Sequence, residues 1–142
     1  SCDKIPFLKK QELQKIDTIV DFTSVDLSPS FKECDSIVSK VKKSECFRTT
    51  IHEKIGEELL SHKLSTKDSI NEIILVDLII NTKGKVHLVQ LNSSENIKDK
   101  LPELDSILKL SVNKLPKLYP AIKRGIPVTT KYRLPIRIQL KE

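Results

Sequence analysis

The chain has 142 residues, with 25 lysines and arginines against 19 aspartates and glutamates, a net charge of +6, and 38% hydrophobic residues. This is about one domain, with apolar surface for a modest core but few aromatics to fill it. No run of roughly 18 apolar residues exists, which excludes a membrane-spanning helix within it.

The first 29 residues show no sustained period and carry a net charge of −1. Ile16, Ile19, Val20 and Phe22 suit packing or a short strand, and the rest reads as a tether ending at Ser28, Pro29 and Ser30. The expected organisation is therefore a tether over 1–29 and one folded domain over 30–142.

Cys34 and Cys46 flank a polar, lysine-containing segment. In an oxidising compartment a bond between them would close a small loop, worth about 3 kcal/mol in the chain-entropy account. Two free buried thiols is the other reading. No CxxC or paired histidine accompanies them, which argues against a metal.

Ser44 is the expected N-cap of a helix ending near His62. Phe47, Ile51, Ile55 and Leu59 recur every four residues as its apolar stripe, which Gly56 weakens. "IILVDLII" (Ile73 to Ile80) reads as a strand covered on both faces. "NTKG" then supplies a tight turn, with Gly84 free to take positive φ. "KVHLVQL" returns as a second strand.

Ile97 to Leu115 reads as one further helix. Leu101, Leu104, Leu108, Val112 and Leu115 form its stripe, Pro102 fits the first turn and Pro116 stops it. A loop with Pro120, Gly125 and Pro127 leads to a last strand from Thr130 to Leu140. There Tyr132, Leu134, Ile136, Ile138 and Leu140 alternate with Arg133, Pro135, Arg137 and Gln139, the period-2 pattern of one buried and one wet face. Pro135 cannot donate a ladder hydrogen bond, so an edge position is expected. The chain from Lys114 onward carries a net +7. The fold class is α+β in the order α-β-β-α-β, with two helices on one face of a three-stranded antiparallel sheet.

Motifs for catalysis are missing. His52 and Glu53 open an HExxH-like reading that fails at Gly56, so His52 is expected on a helix surface. His62 and His87 lack ligand spacing. No GxSxG, P-loop or GxGxxG occurs. Asp77 is the oddest acid, placed inside an apolar strand and without a partner in the sequence. "SSEN" (Ser93 to Asn96) reads as a turn and helix cap. Basic charge permits nucleic acid, but no basic helix face or stacking platform is present. The expectation is a non-catalytic chain with no cofactor, metal, small-molecule substrate or nucleic-acid partner.

Two stretches resemble the C-terminal domain of the TonB family. "LVDLIINTKGKVHLVQL" is similar to that family's strand, glycine turn and Val-rich return strand. "LPKLYPAIKRGIPVTTKYRLPIRIQL" is similar to its closing signature, with a Pro-Ala loop, Gly-x-Pro-Val and a Leu-Pro-Ile strand centre. The resemblance covers about 30–142, and "PSFKEC" with the later "CF" resembles a variant found in gliding and Sus-type Gram-negative lineages.

The resemblance implies a periplasmic domain whose terminal strand pairs with an extended peptide of an outer-membrane protein. Thr130, Lys131, Tyr132, Arg133, Pro135, Arg137 and Gln139 would form that partner-binding edge. Cys2, following a small residue in "SCDK", resembles the lipid-attachment site of a bacterial lipoprotein. With an envelope location, a Cys34–Cys46 disulfide then leaves no free thiol. The expectation is an accessory subunit anchored to the outer membrane. The alternative is the soluble end of an energy transducer engaging TonB-dependent receptors.

Overall fold

The computed structural model describes residues 19–141. The elements in chain order are β1 (Ile19–Asp21), α1 (Lys40–Ser61), β2 (Ile70–Ile80), β3 (Val86–Asn92), α2 (Glu95–Lys100), α3 (Leu104–Asn113), β4 (Ala121–Lys123) and β5 (Ile126–Leu140). One sheet runs β1-β5-β2-β3, with β4 paired to β5. The α+β class is as expected, but the sheet is larger than three strands and is mixed. β1 joins β5 in parallel, while β2, β3 and β4 pair antiparallel.

The core is built from three periodicities that agree. The α1 stripe of Phe47, Ile51, Ile55 and Leu59 is buried. Along α2 and α3, Ile97, Leu101, Leu104, Leu108 and Val112 are buried. Between them lie the even residues of β2 (Ile70, Ile74, Val76, Leu78, Ile80) and of β5 (Leu134, Ile136, Ile138). Helices cover this even face. On the odd face Ile73, Lys131, Arg133, Pro135, Arg137 and Gln139 are exposed.

Helix boundaries differ from expectation for local reasons. α1 is capped by Ser39, whose hydroxyl accepts from Lys42 N, rather than by Ser44. Its first turns are polar and exposed, so the apolar period begins only at Phe47. The second helix is two helices. Leu101, before Pro102, sits at φ −129°, ψ 65° and ends α2, because proline disfavours helical backbone in the residue preceding it. Ser94 caps α2 by accepting from Ile97 N, as expected of "SSEN".

Two hairpin turns use positive φ. Gly84 closes the β2–β3 hairpin at φ +82°, and a Cβ there would lie 1.7 Å from the Leu118 carbonyl oxygen. Asn81 Oδ1 accepts from both Lys83 N and Lys85 N across that turn. The loop expected before the last strand is a hairpin, with Lys123 opposite Ile126. Its two turn residues, Arg124 and Gly125, both have positive φ, the type I′ pattern that matches strand twist. Asp26 accepts from Arg124 N at 2.7 Å.

The boundary expected at residue 29 is too late. Ile19 to Asp21 pair with Thr129 to Lys131. Phe22 then enters the core, its ring 5.3 Å from Phe47 and 5.1 Å from Tyr132. Phe31 stacks on Phe47 at 5.8 Å. Ile19, Val20 and Phe22 thus form the short strand and packing contact that their residue types suit, but no short sequence period reveals the remote strand and aromatic cluster that hold them. Residues 1–18 of the tether expected over 1–29, with the attachment site at Cys2, lie outside the described residues. Cys34 and Cys46 are disulfide-bonded, with Cα atoms 5.9 Å apart. The bond ties the turn at Lys32–Cys34 to α1 beside Phe47.

Candidate functional site

β5 is long, and its two edges are treated differently. One edge is paired with β2 over the full stretch from Thr130 to Leu140. The other is covered by β1 only at Thr129 to Lys131. From Tyr132 to Leu140 this second edge has no strand neighbour among the described residues. Thr130 and Lys131, expected to be open to a partner, are therefore flanked on both sides, and the open edge begins at Tyr132. Pro135 lies inside it, opposite Leu75. A proline is accommodated where a strand has an open side, since its missing N–H costs no ladder bond there.

The face of that strand is as the alternation requires. Lys131, Arg133, Pro135, Arg137 and Gln139 are exposed, while Leu134, Ile136 and Ile138 are buried. Yet the arginines differ. Arg133 Nε donates to Asp77 Oδ1 at 2.7 Å and its NH2 to Oδ2 at 3.2 Å. Asn92 Nδ2 donates to the same carboxylate at 3.0 Å. Asp77 is 4% exposed, and the Arg133 hydrogen bond holds its carboxyl below the usual range. The odd acid of the apolar strand thus has its partner directly across the ladder. Arg133 is first an internal counter-ion. Among the described residues Arg137 donates only to the neutral Asn71 side chain, at 2.8 Å, and has no acidic partner.

The open edge is walled by α1, which the sequence reading treats only as a core helix. Three hollows follow one another along the strand. The first, of about 470 Å³, lies where β1 stops, between Asp21, Phe22, Arg48, Tyr132 and Arg133. The second, of about 430 Å³, lies between His52, Glu53, Leu134 and Pro135. The third, of about 320 Å³, lies between Gly56, Leu60, Leu64, Ile136, Arg137 and Leu140. Arg48, His52, Gly56 and Leu60 recur every four residues, one position after the buried stripe. That offset stripe was the available signal. A turn of 100° places it beside the core seam, over the neighbouring strand edge. Among the described residues, no group of three His, Cys, Asp or Glu is placed to hold a metal ion.

Comparisons of the chain with protein-family models, with curated proteins and with solved structures return no match.

Proposed function

We propose that this protein is a non-catalytic binding module that takes an extended peptide as an added strand along Tyr132 to Leu140. The observation supporting it is the second edge of β5, which among the described residues is without a strand neighbour from Tyr132 onward while the rest of the strand is locked into the sheet. Such an edge offers backbone donors and acceptors in a row, and strand addition is a general mode of peptide capture. Together with the resemblance to TonB C-terminal domains, the reading is a periplasmic domain in a Gram-negative envelope. Its partner is the periplasmic segment of an outer-membrane protein, and Cys2 carries the lipid anchor to the outer membrane. The gene sequence upstream of Ser1 separates this accessory role from that of an energy transducer. A lipobox supports the first, a transmembrane helix with a proline-rich spacer the second.

The test is site-specific photo-cross-linking in intact cells. A photoreactive residue at Gln139, on the open edge, is expected to trap an outer-membrane protein through a periplasmic segment. The same residue at Leu110, exposed on α3, is the control. Identical products from both positions, or none, overturn the reading.

A further inference from the structure

The groove between α1 and the open edge has its own chemistry, and this inference deepens the reading above and rests on it. We infer that the hollow at Gly56 is a specificity pocket for one large apolar side chain of the added strand, with a carboxylate at a neighbouring position of that strand answering Arg137.

A strand laid beside β5 points alternate side chains to opposite faces of the sheet. Those on the helix side face the three hollows in turn. The third hollow offers the largest extent of apolar wall, with Leu59, Leu60, Leu64, Ile136 and Leu140 around it. Gly56 contributes backbone with no side chain to its wall. An ideal Cβ built there meets nothing within 4 Å, so the glycine is not required by packing, and its φ is not positive. A helix-weakening residue in the middle of a 22-residue helix, with no structural need for it, lies where a strand beside β5 would project a side chain. Leu60 is 80% exposed on the same rim. An apolar occupant would cover it.

Side chains on the other face of the added strand lie beside the odd residues of β5. Arg133 is neutralised by Asp77, which leaves Arg137 as the cation without an ion pair along the open stretch from Tyr132 to Leu140, among the described residues. On the helix side, Lys63 at the rim of the third hollow adds to the positive field that an acidic peptide meets on approach. Glu53 is the one acid lining the second or third hollow. A peptide that alternates apolar and acidic residues satisfies both faces, and opposite charge also speeds encounter.

The experiment titrates isotope-labelled protein with two synthetic peptides of roughly eight residues, a common strand length. One alternates leucine with glutamate, the other leucine with lysine. The variants are Gly56→Leu, which fills the hollow, and Gly56→Ala, which leaves most of it open. Both replace glycine in a helix with better helix formers, so both fold, and a melting temperature at or above wild type verifies this. The expected result is that the leucine–glutamate peptide shifts the amides of Tyr132 to Leu140 in wild type and Gly56→Ala. Gly56→Leu then weakens it at least tenfold, and the leucine–lysine peptide binds at least tenfold more weakly to wild type. Equal binding to wild type and Gly56→Leu, with the same strand amides shifted, overturns the pocket but leaves strand addition standing. Equal binding of the two peptides overturns the role of Arg137. Absence of any shift at Tyr132 to Leu140, while cross-links from Gln139 persist, overturns the assigned occupant alone. Shifts confined to other surfaces, with no cross-link from Gln139, overturn both this inference and the reading beneath it.

Discussion

The two halves of β5 share one alternation but have different neighbours. From Thr129 to Lys131 the strand is flanked by β1 on one side, and from Thr130 by β2 on the other. From Tyr132 to Leu140 it has β2 alone among the described residues. Inward-facing residues are buried in both halves, from Thr130 at 0% exposure to Ile138 at 5%, with Tyr132 and Leu140 half-buried. What differs is lateral. Phe22 follows β1 directly and is packed on Phe47 and Tyr132, which fixes the N-terminal segment against the first half. Beyond it the helix wall stands back and leaves hollows. Burial of a strand's face and completion of its edges are separate matters. The first holds the strand in place, and the second determines whether it can accept a partner.

The largest test of this separation is Ile136→Asp in the open half. Ile136 is 5% exposed in the core. The change removes a buried aliphatic side chain and introduces a charge among apolar neighbours. The lost aliphatic group and the buried charge together are expected to cost about 5 to 10 kcal/mol, which matches the whole stability of a small domain. Circular dichroism should report an unfolded chain at neutral pH. A folded variant would mean that the open half is not anchored by its face.

The next test acts on the covered half. The Cys34–Cys46 bond secures the turn after Phe31, and Phe31 packs on Phe47. Replacing both cysteines with alanine should cost about 3 kcal/mol in denaturant unfolding. Amide exchange should accelerate at Val20 and Phe22 more than at Ile136. Uniform acceleration would show that the two halves do not have separate supports. Thiol titration of the denatured, unreduced wild type should find neither cysteine reactive.

A third test compares charges along the same strand. Asp77 is held below the usual carboxyl range chiefly by the Arg133 hydrogen bond. Its pKa is therefore lower folded than unfolded. The resulting stability is present above about pH 4, the ordinary aspartate value, and is lost as pH falls through the lower folded value. Asp77→Asn should cost about 1 kcal/mol at pH 7, a figure already discounted for the exposed guanidinium. The gap to wild type should close below about pH 4. Arg137→Glu, with only Asn71 as partner, should leave the melting temperature within a degree or two and weaken partner capture. The reverse ranking would make Arg137 the structural arginine.

The sequence carried the inward-facing pattern well. β2, β5 and the stripe of α1 were legible because each buries a regular set of apolar residues over many positions. The edge was only half legible. Pro135 pointed to an open side, and Ile19, Val20 and Phe22 suited a short strand, but three residues with no period gave no sign that this strand covers Thr130 and Lys131. Asp77 and Arg133 lie 56 residues apart, and only the antiparallel register makes them neighbours. The helix wall was visible as a stripe offset by one from the core seam, yet a mixed stripe of Arg48, His52, Gly56 and Leu60 resembles any solvated flank until a strand edge is placed beneath it.

The smallest expected effect concerns the point where the two halves meet. Thr130 is fully buried, and its Oγ1 is the one buried side-chain polar atom among the described residues without a hydrogen-bond partner. It sits between Val20 of β1 and Ile80 of β2, so the strand that closes this half also seals a hydroxyl from water. An unmet buried hydroxyl costs free energy that an apolar group of the same shape does not. Thr130→Val keeps the branched shape that suits a strand. It should therefore stabilise the protein by a few tenths to about 1 kcal/mol, equally at pH 5 and pH 8 because neither side chain titrates. It should not alter peptide capture, since this residue lies before the open edge begins. If Thr130→Val instead lowers the melting temperature, the hydroxyl has a partner in solution, such as a buried water. The junction of covered and open strand would then be hydrated rather than dry.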